Sequence, residues 1–279
     1  MVPSPVELFQ EEFRRYVGSG FALAVSSGST ALQAAILGLD LPKGSSIITT
    51  PFTFPATANY IIHCGHKPIF VDVVKNGYNI DPDAVQAALD DYGRKVSAAI
   101  IVHLFGEPCN VEAFTTIQRE RRGFKIIEDA SQAVGRFIPS SKGKRALGTI
   151  FDVGTYSFYA SKNLWTYEGG MVVTDSPDIA ERIKMIRNHG FDGDGEMPML
   201  GYNFKMPWIC AFQGWQMLLL HKKAIESELG AKGPHDGYYT KLVYDYKFYR
   251  DHPDLWEAAP CPNAEAAVTR VKGFMKGDG

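Results

Sequence analysis

A lysine stands inside an otherwise apolar and aromatic stretch, "SFYASKNLWTYEGG", at residues 157–170. Lys162 follows Ser157 by five positions, and a pair of glycines closes the stretch. Lysine side chains are ordinarily exposed and charged, but a lysine in a partly desolvated pocket loses its charge more easily and attacks carbonyl groups. The stretch therefore predicts either a nucleophilic lysine or an ordinary surface lysine after a strand, and taken alone it favours the surface lysine.

A stretch that could bind phosphate lies earlier, at residues 26–30, "SSGST". It ends one predicted strand and opens a predicted helix. Backbone N–H groups at a helix N-terminus bind anions, and a glycine such as Gly28 lets the backbone approach closely, while Ser29 adds a hydroxyl donor. The alternative is a simple helix cap, which these residues alone favour. Glycines precede the strand instead of following it, so a nicotinamide-dependent oxidoreductase is disfavoured.

An acidic residue, Asp129, ends the apolar strand of "IIEDASQAVG". Open α/β sheets place their ligands at the carboxyl ends of strands. A carboxylate there can hold a protonated ring nitrogen, and Gln132, three residues on, could reach the same site. Two alternatives remain open at this point: Asp129 caps the short helix that follows, or it binds a metal.

Taken together, the three stretches offer a partner for each of three groups of pyridoxal phosphate: its phosphate, its aldehyde and its pyridine nitrogen. Phe54, in "TTPFTFPATAN" at residues 49–59, offers an aromatic ring that could stack on the pyridine. The cysteines form no CxxC pair, and neither His103 nor His189 has a second ligand at metal spacing, so the sequence predicts a pyridoxal phosphate site and no metal site.

The bulk composition favours a cytoplasmic globular protein. The chain has 279 residues, 45% of them hydrophobic, a net charge of -2 and four scattered cysteines. This charge predicts no bulk attraction to nucleic acid or to an acidic membrane surface. The charged N-terminal residues do not fit a signal peptide, and no apolar run reaches the length of a membrane span.

Short apolar runs alternate with helical patterns, which predicts an α/β fold with a mostly parallel sheet flanked by helices. Residues 81–93 and 176–190 read as capped helices. After residue 220 the chain becomes rich in tyrosine, glycine, proline and charge. We therefore expect a cofactor-binding large domain over residues 1–220 and a reduced C-terminal small domain or tail over residues 221–279.

The ordered segments of residues 10–222 resemble one family, the DegT/StrS-type sugar aminotransferases of the fold type I superfamily. The segments that carry the resemblance are "AVSSGSTAL", "TTPFTFPATAN", "HCGHKPIFVDV", "YNIDPDAV", "VHLFGEPCN", "IEDASQAVG", "YSFYASKNLWTYEGGMVVTD", "RNHG" and "GYNFKM". A fainter match follows at "CPNAEAAVTRV", residues 261–271.

The resemblance implies a role for each site residue. Lys162 is similar to the lysine that forms a Schiff base with the cofactor and then moves protons, and Asp129 to the partner of the pyridinium nitrogen. The other implied cofactor-binding residues are Gln132 beside the phenolic oxygen, Gly28, Ser29 and Ser157 at the phosphate, Phe54 stacked on the ring, and Asn203 at the neighbouring subunit's phosphate.

The resemblance also implies an activity: transfer of an amino group from an amino acid, usually glutamate, to a nucleotide-linked ketosugar, by a homodimer with shared active sites. A related branch dehydrates sugars and has histidine in place of Lys162, which argues against that branch here. Two departures stand out. Lys205 replaces an arginine in "GYNFKM", and only about forty residues separate "LLLHKK" from "CPNAE". The short C-terminal part leaves an alternative open, a non-catalytic cofactor-binding relative that serves as a regulator or scaffold.

Overall fold

A computed structural model describes residues 2–141, 143–227 and 239–276, with the side chains of 274–276 left aside. The chain forms two compact units, each built from separate parts of the sequence. The first unit comprises residues 1–40 and 127–229, and the second comprises residues 41–126 and 230–279. The predicted boundary at residue 220 falls inside a helix, and the division into domains 1–220 and 221–279 stays a prediction.

Among its described residues, the first unit combines a mixed sheet with four helices. Its strand order is β1-β9-β8-β5; β1 and β8 pair antiparallel with β9, and β8 pairs parallel with β5. A separate hairpin is formed by β6 and β7. The elements are α1 (Pro5–Val17), β1 (Phe21–Val25), α2 (Gly28–Gly38), β5 (Lys125–Asp129), β6 (Phe137–Ser140), β7 (Gly143–Ala146), β8 (Val153–Ser157), β9 (Gly170–Thr174), α6 (Pro177–Arg187) and α7 (Trp208–Ser227).

The core of the first unit lies where α1 and α7 pack together over the sheet. Phe9 and Phe13 of α1 are fully buried against Tyr156 and Phe158. A Cβ atom at Gly214 of α7 would lie 2.5 Å from the Phe9 ring, so only glycine allows the two helices to approach this closely. The helices α2 and α6 pack on β1 and β9.

The second unit is a parallel sheet with the strand order β4-β2-β3-β10. Strands β2, β3 and β4 are mostly apolar and mostly buried, as expected for strands that are covered on both faces. The elements are β2 (Ser46–Thr49), α3 (Ala56–His63), β3 (Lys67–Phe70), α4 (Pro82–Tyr92), β4 (Val96–Val102), α5 (Val111–Glu120), α8 (Lys247–Asp251), β10 (Glu257–Ala258) and α9 (Pro262–Lys276).

The helix ends follow local capping chemistry. The helix expected over 81–93 is α4, with Asp81 as N-cap accepting a hydrogen bond from Asp83 N–H, and Gly93 just past its end. The helix expected over 176–190 is α6, with Ser176 as N-cap. It ends at Arg187, three residues before the predicted end. The alternation of strands and helices is confirmed, as is a mostly parallel sheet.

The described C-terminal residues 239–276 are part of the second unit's fold. Strand β10 pairs with β3, and the buried Asp72 accepts hydrogen bonds from the first-turn N–H groups of Asn263 and Ala264 in α9, at 3.0 and 2.8 Å. Residues 228–238 of the expected small domain or tail lie outside the described residues. Among the helices that the structure describes, none is long and apolar enough to cross a bilayer.

Candidate active site

The stretch predicted to bind phosphate forms the N-cap and first turn of α2. Ser27 is the N-cap, and its hydroxyl and that of Thr30 accept each other's backbone N–H in a capping box, at 3.1 and 2.9 Å. The cap interpretation is therefore correct for Ser27 and Thr30. It does not compete with the anion site, because the N–H groups of Gly28 and Ser29 lie in the first turn, where a helix supplies no carbonyl partner.

Ser157 lies directly against this turn. It ends β8, is buried, and its Oγ would lie 2.9 Å from a Cβ atom built on Gly28. Any side chain at position 28 would fill the space between the helix N-terminus and the Ser157 hydroxyl. The structure thus brings together Gly28, Ser29 and Ser157, which the sequence places about 130 residues apart.

Lys162 lies on a loop that leaves β8 immediately after Ser157. The loop, residues 158–169, is closed by two backbone hydrogen bonds, from Thr166 N–H to the Phe158 carbonyl and from Phe158 N–H to the Gly169 carbonyl, both 2.8 Å long. A tight turn holds Lys162, whose N–H donates to the Tyr159 carbonyl at 2.9 Å. Lys162 is half-buried, and its role as a nucleophile stays a prediction.

The neighbouring Asn163 anchors this loop to two other segments. Its side-chain amide donates to the carbonyls of Val134, at 2.7 Å, and of Ile225 in α7, at 3.0 Å. A side chain with two amide hydrogens can bridge two carbonyls in this way. Asn163 therefore anchors the lysine loop. Nothing in the sequence around Lys162 indicated this role.

Asp129 ends β5, next to the strand that leads to Ser157. Strand β5 pairs with β8, and Asp129 is the register partner of Thr155, two residues before Ser157. Its buried carboxylate accepts a hydrogen bond from Ser131 N–H at 3.1 Å, so it also caps the following turn. Gln132 lies in that turn, half-buried. Because β5 and β8 are paired in this register, Asp129 and the turn with Gln132 lie at the same end of the sheet as Ser157.

Glu128, adjacent to Asp129, is a residue whose role the sequence did not reveal. It is fully buried, and its carboxylate accepts hydrogen bonds from the N–H groups of Gly148, Ile150 and Phe151 at 2.8, 2.6 and 2.9 Å. Successive residues of a strand point to opposite faces, so Glu128 and Asp129 cannot serve one site. Two acids side by side in the strand "IIED" point to opposite faces, and this pattern could have indicated that one of them is structural.

Asn203 and Lys205 lie on an exposed segment that pairs with the end of β1. The Phe204 carbonyl accepts from Ser26 N–H at 2.8 Å, and Phe204 itself is buried. Asn203 and Lys205, on either side of it, have exposed side chains. The role of Asn203 at a neighbouring subunit's phosphate stays a prediction.

The half-buried Arg187 holds this segment in place. Its guanidinium donates to the Gln10 side chain at 2.6 Å and to the Ala24 carbonyl at 2.8 Å, while its own carbonyl accepts from Phe204 N–H at 3.0 Å. Burial lowers the pKa of Arg187 below its usual value. Arg187 therefore joins α6, β1 and the Asn203 segment.

Phe54 belongs to the second unit. It lies between β2 and α3, is 51% exposed, and its carbonyl accepts from Thr57 N–H at 3.1 Å. An exposed ring suits a stacking partner, but its role at the cofactor stays a prediction.

The residues present in the first unit fit pyridoxal phosphate. The gap between Gly28 and Ser157, which a Cβ atom would fill, offers N–H and O–H donors to a phosphate. A carboxylate lies at the end of the adjacent strand, and a half-buried lysine lies on the loop that follows Ser157. An anion site, a carboxylate and a lysine are the partners that the phosphate, the ring nitrogen and the aldehyde need.

Comparison with known proteins identifies relatives. Residues 4–227 match the model of the DegT/DnrJ/EryC1/StrS aminotransferase family. The GDP-perosamine synthase of Caulobacter vibrioides is 30% identical over 237 residues, 84% of this chain and 61% of that protein. Three other curated relatives are matched over only 46%, 46% and 52% of their own lengths, so the chain spans about half the length of these curated relatives.

Solved structures give the fold and the cofactor. DesV of S. venezuelae, crystallised in complex with a ketimine intermediate, is 25% identical, with a TM-score of 0.81 over 96% of this chain and 83% of that one. NtdA of Bacillus subtilis, crystallised with bound PMP, is 26% identical, with a TM-score of 0.71 over 81% of this chain and 49% of that one. The fold is that of the fold type I enzymes that use pyridoxal phosphate, and the chain belongs to the DegT/DnrJ/EryC1/StrS aminotransferase family.

Proposed function

We propose that this protein is a pyridoxal phosphate-dependent aminotransferase that moves an amino group from an amino acid, glutamate by preference, to a nucleotide-linked ketosugar. The observation that carries the proposal is the assembly around the end of β8. Gly28 of α2 contacts Ser157, Asp129 is carried there by the sheet register, and Lys162 follows on the next loop.

Each residue has a chemical role in this proposal. When bound, pyridoxal phosphate supplies an electron-withdrawing ring and an aldehyde that carries the amino group between the two substrates. The N–H groups of Gly28 and Ser29 and the hydroxyl of Ser157 bind the phosphate. Asp129 holds a proton on the ring nitrogen.

Lys162 would supply the amine that holds the cofactor's aldehyde, and the same amine would accept a proton from the α-carbon of the amino donor. Gln132 would be the partner of the cofactor's phenolic oxygen, and Phe54 would be the aromatic partner of its ring. The nucleotide-linked acceptor is supported by the similarity to a GDP-perosamine synthase.

We further propose a cytoplasmic homodimer with shared active sites. The N-terminal half of α7 exposes large apolar side chains: Trp208 is 68% and Ile209 72% exposed, with Phe212 beside them on the helix. Exposed apolar surface of this kind marks an interface, and a two-fold axis would cover it in both copies. The exposed Asn203 precedes this helix by five residues and could complete the partner's phosphate site.

A visible absorbance band tests the cofactor chemistry. Wild-type protein incubated with pyridoxal phosphate should absorb in the visible range, because an imine to Lys162 is conjugated with the ring. Lys162→Ala should lose the band, and glutamate should change it in the wild type. Lys184→Ala, which removes an exposed lysine of α6, is the matched control and should keep the band. A wild type that stays colourless would favour the non-catalytic alternative.

Subunit complementation tests the shared site. Lys162→Ala and Asn203→Ala should each be inactive or impaired alone. Mixed with subunit exchange, half of the dimers are heterodimers with one intact site of two, so activity should rise to about a quarter of wild type. Verified heterodimers that regain no activity, or an active monomer on sizing, would contradict the shared site.

A further inference from the structure

The loop that carries Lys162 also displays two aromatic rings on its outer side. Leu164 and Thr166 are fully buried, whereas Trp165 is half-buried and Tyr167 is 61% exposed. The side chains of residues 164–167 therefore alternate between the core and the outer side of the loop. The two outward rings, Trp165 and Tyr167, contact each other edge to face, with centroids 4.9 Å apart at 73°.

Tyr167 adopts an unusual backbone conformation to hold this position. Its φ angle is 65°, in the left-handed region that bulky residues rarely occupy. The preceding Thr166 fixes the backbone, because its hydroxyl donates to the Glu168 carbonyl and its N–H to the Phe158 carbonyl, both at 2.8 Å. Such strain persists where the surroundings over-determine it, and it concentrates at ligand sites.

The surroundings of the Tyr167 ring indicate which kind of ligand could bind there. In an edge-to-face pair, the face of one ring meets the edge of the other, so flat aromatic surface stays available to a third ring. The adjacent Glu168 is exposed and would repel a phosphate, but its carboxylate can accept hydrogen bonds from amino and imino groups of a base. A neutral planar heterocycle fits both features.

We propose that Tyr167, backed by Trp165, is a stacking platform for the nucleobase of the acceptor. This inference rests on the proposed function, since it assigns part of the nucleotide-linked acceptor to the lysine loop. Base stacking on an aromatic side chain tolerates different bases because every base has a π-face. Tyr167 therefore contributes affinity for the nucleotide and leaves the amino donor unaffected.

Calorimetric titration with GDP and UDP tests the platform on the intact protein. Tyr167→Gly removes the ring and suits the left-handed backbone, so the variant should fold; it should bind both nucleotides about tenfold more weakly. Tyr167→Phe keeps the ring and should bind within about twofold of wild type. Phe248→Ala, which removes an exposed ring of the second unit, is the matched control.

Steady-state kinetics give a second readout. Tyr167→Gly should raise the KM for the ketosugar nucleotide and leave the KM for glutamate unchanged. Unchanged GDP and UDP affinity in Tyr167→Gly would overturn the proposed stacking role. A variant that changes only in having a smaller size in solution would also overturn it, because that result assigns the ring to a subunit interface.

The absorbance band separates this inference from the proposed function. Protein that shows the band but binds neither nucleotide would overturn the platform while the aminotransferase chemistry stands. Protein without the band, whose nucleotide binding is nevertheless lost in Tyr167→Gly, would support the platform and overturn the proposed reaction.

Discussion

Two buried aspartates, one in each unit, stand in similar sequence positions and have different partners. Asp129 ends β5 in the first unit, and Asp72 follows β3 by two residues in the second. Both oxygens of Asp72 accept backbone N–H groups, from Val73 and from the first turn of α9. Asp129 accepts from Ser131 N–H and lies beside the strand that ends at Ser157, a predicted phosphate ligand.

This comparison shows that a carboxylate at the end of a strand can be either a structural cap or a candidate ligand. Asp72 is a structural cap because α9 begins beside it, and Asp129 is a ligand candidate because β8 and its lysine loop lie beside it. Glu128 is a second structural carboxylate. It lies next to Asp129 in the same strand, but it accepts hydrogen bonds from three backbone N–H groups. Substitutions can separate these roles.

The largest expected effect is on turnover in Asp129→Asn. The amide cannot hold the ring nitrogen protonated, so transamination should slow by about a hundredfold or more while the cofactor stays bound. Stopped-flow measurement of the glutamate half-reaction reports the rate, and thermal unfolding should stay near wild type. Asp72→Asn is the control, with unfolding affected and the half-reaction rate per folded molecule retained. Equal turnover in Asp129→Asn and wild type would place the partner of the ring nitrogen elsewhere.

Glu128→Gln should have the largest effect on stability. The substitution places an amide NH2 among three N–H donors and leaves at least one of them without an acceptor. We expect a loss of about 2–3 kcal/mol in the free energy of unfolding, measured by urea denaturation. The matched control, Glu168→Gln, changes an exposed acid of the same unit and should stay within about 0.5 kcal/mol. A stable Glu128→Gln would show that the 148–151 loop is held by other contacts.

Asp72→Ala should destabilise the C-terminal segment more selectively. Loss of the cap on α9 is expected to lower stability by about 1–2 kcal/mol. Limited proteolysis followed by mass spectrometry should show earlier cleavage within 259–276, whereas Asp72→Asn, which keeps one acceptor oxygen, should be cleaved more slowly than Asp72→Ala. Uniform cleavage throughout the chain would argue against a local cap.

Tyr167→Gly should have the smallest effect on stability, and it should be favourable. Glycine adopts the left-handed conformation without strain, which outweighs its greater flexibility by about 0.5 kcal/mol. Tyr159→Gly, on the same loop but without a positive φ, should instead be destabilised. Chemical denaturation of the pair measures the difference, and a Tyr167→Gly less stable than Tyr159→Gly would contradict the assigned strain.

Much of the candidate site could be predicted from local sequence. "SSGST" predicts both the cap that the structure shows and an anion site, because the donors and the glycine lie within five residues. Lys162 and Ser157 lie five positions apart, and the helix ends at Asp81 and Ser176 follow from side chains that bond their own neighbours. Each of these features depends on short-range geometry, which a linear pattern contains.

The tertiary structure alone decided which side chains those motifs meet. Glu128 receives donors 20 to 23 residues away, and Asp72 receives them from 191 and 192 residues away. Pairing of β10 with β3, the contact of Gly28 with Ser157, and the left-handed Tyr167 are of the same kind. A sequence determines which groups can bond, but partners distant along the chain are selected by strand register and helix packing, because a buried polar group must be satisfied by whatever donor the fold brings to it.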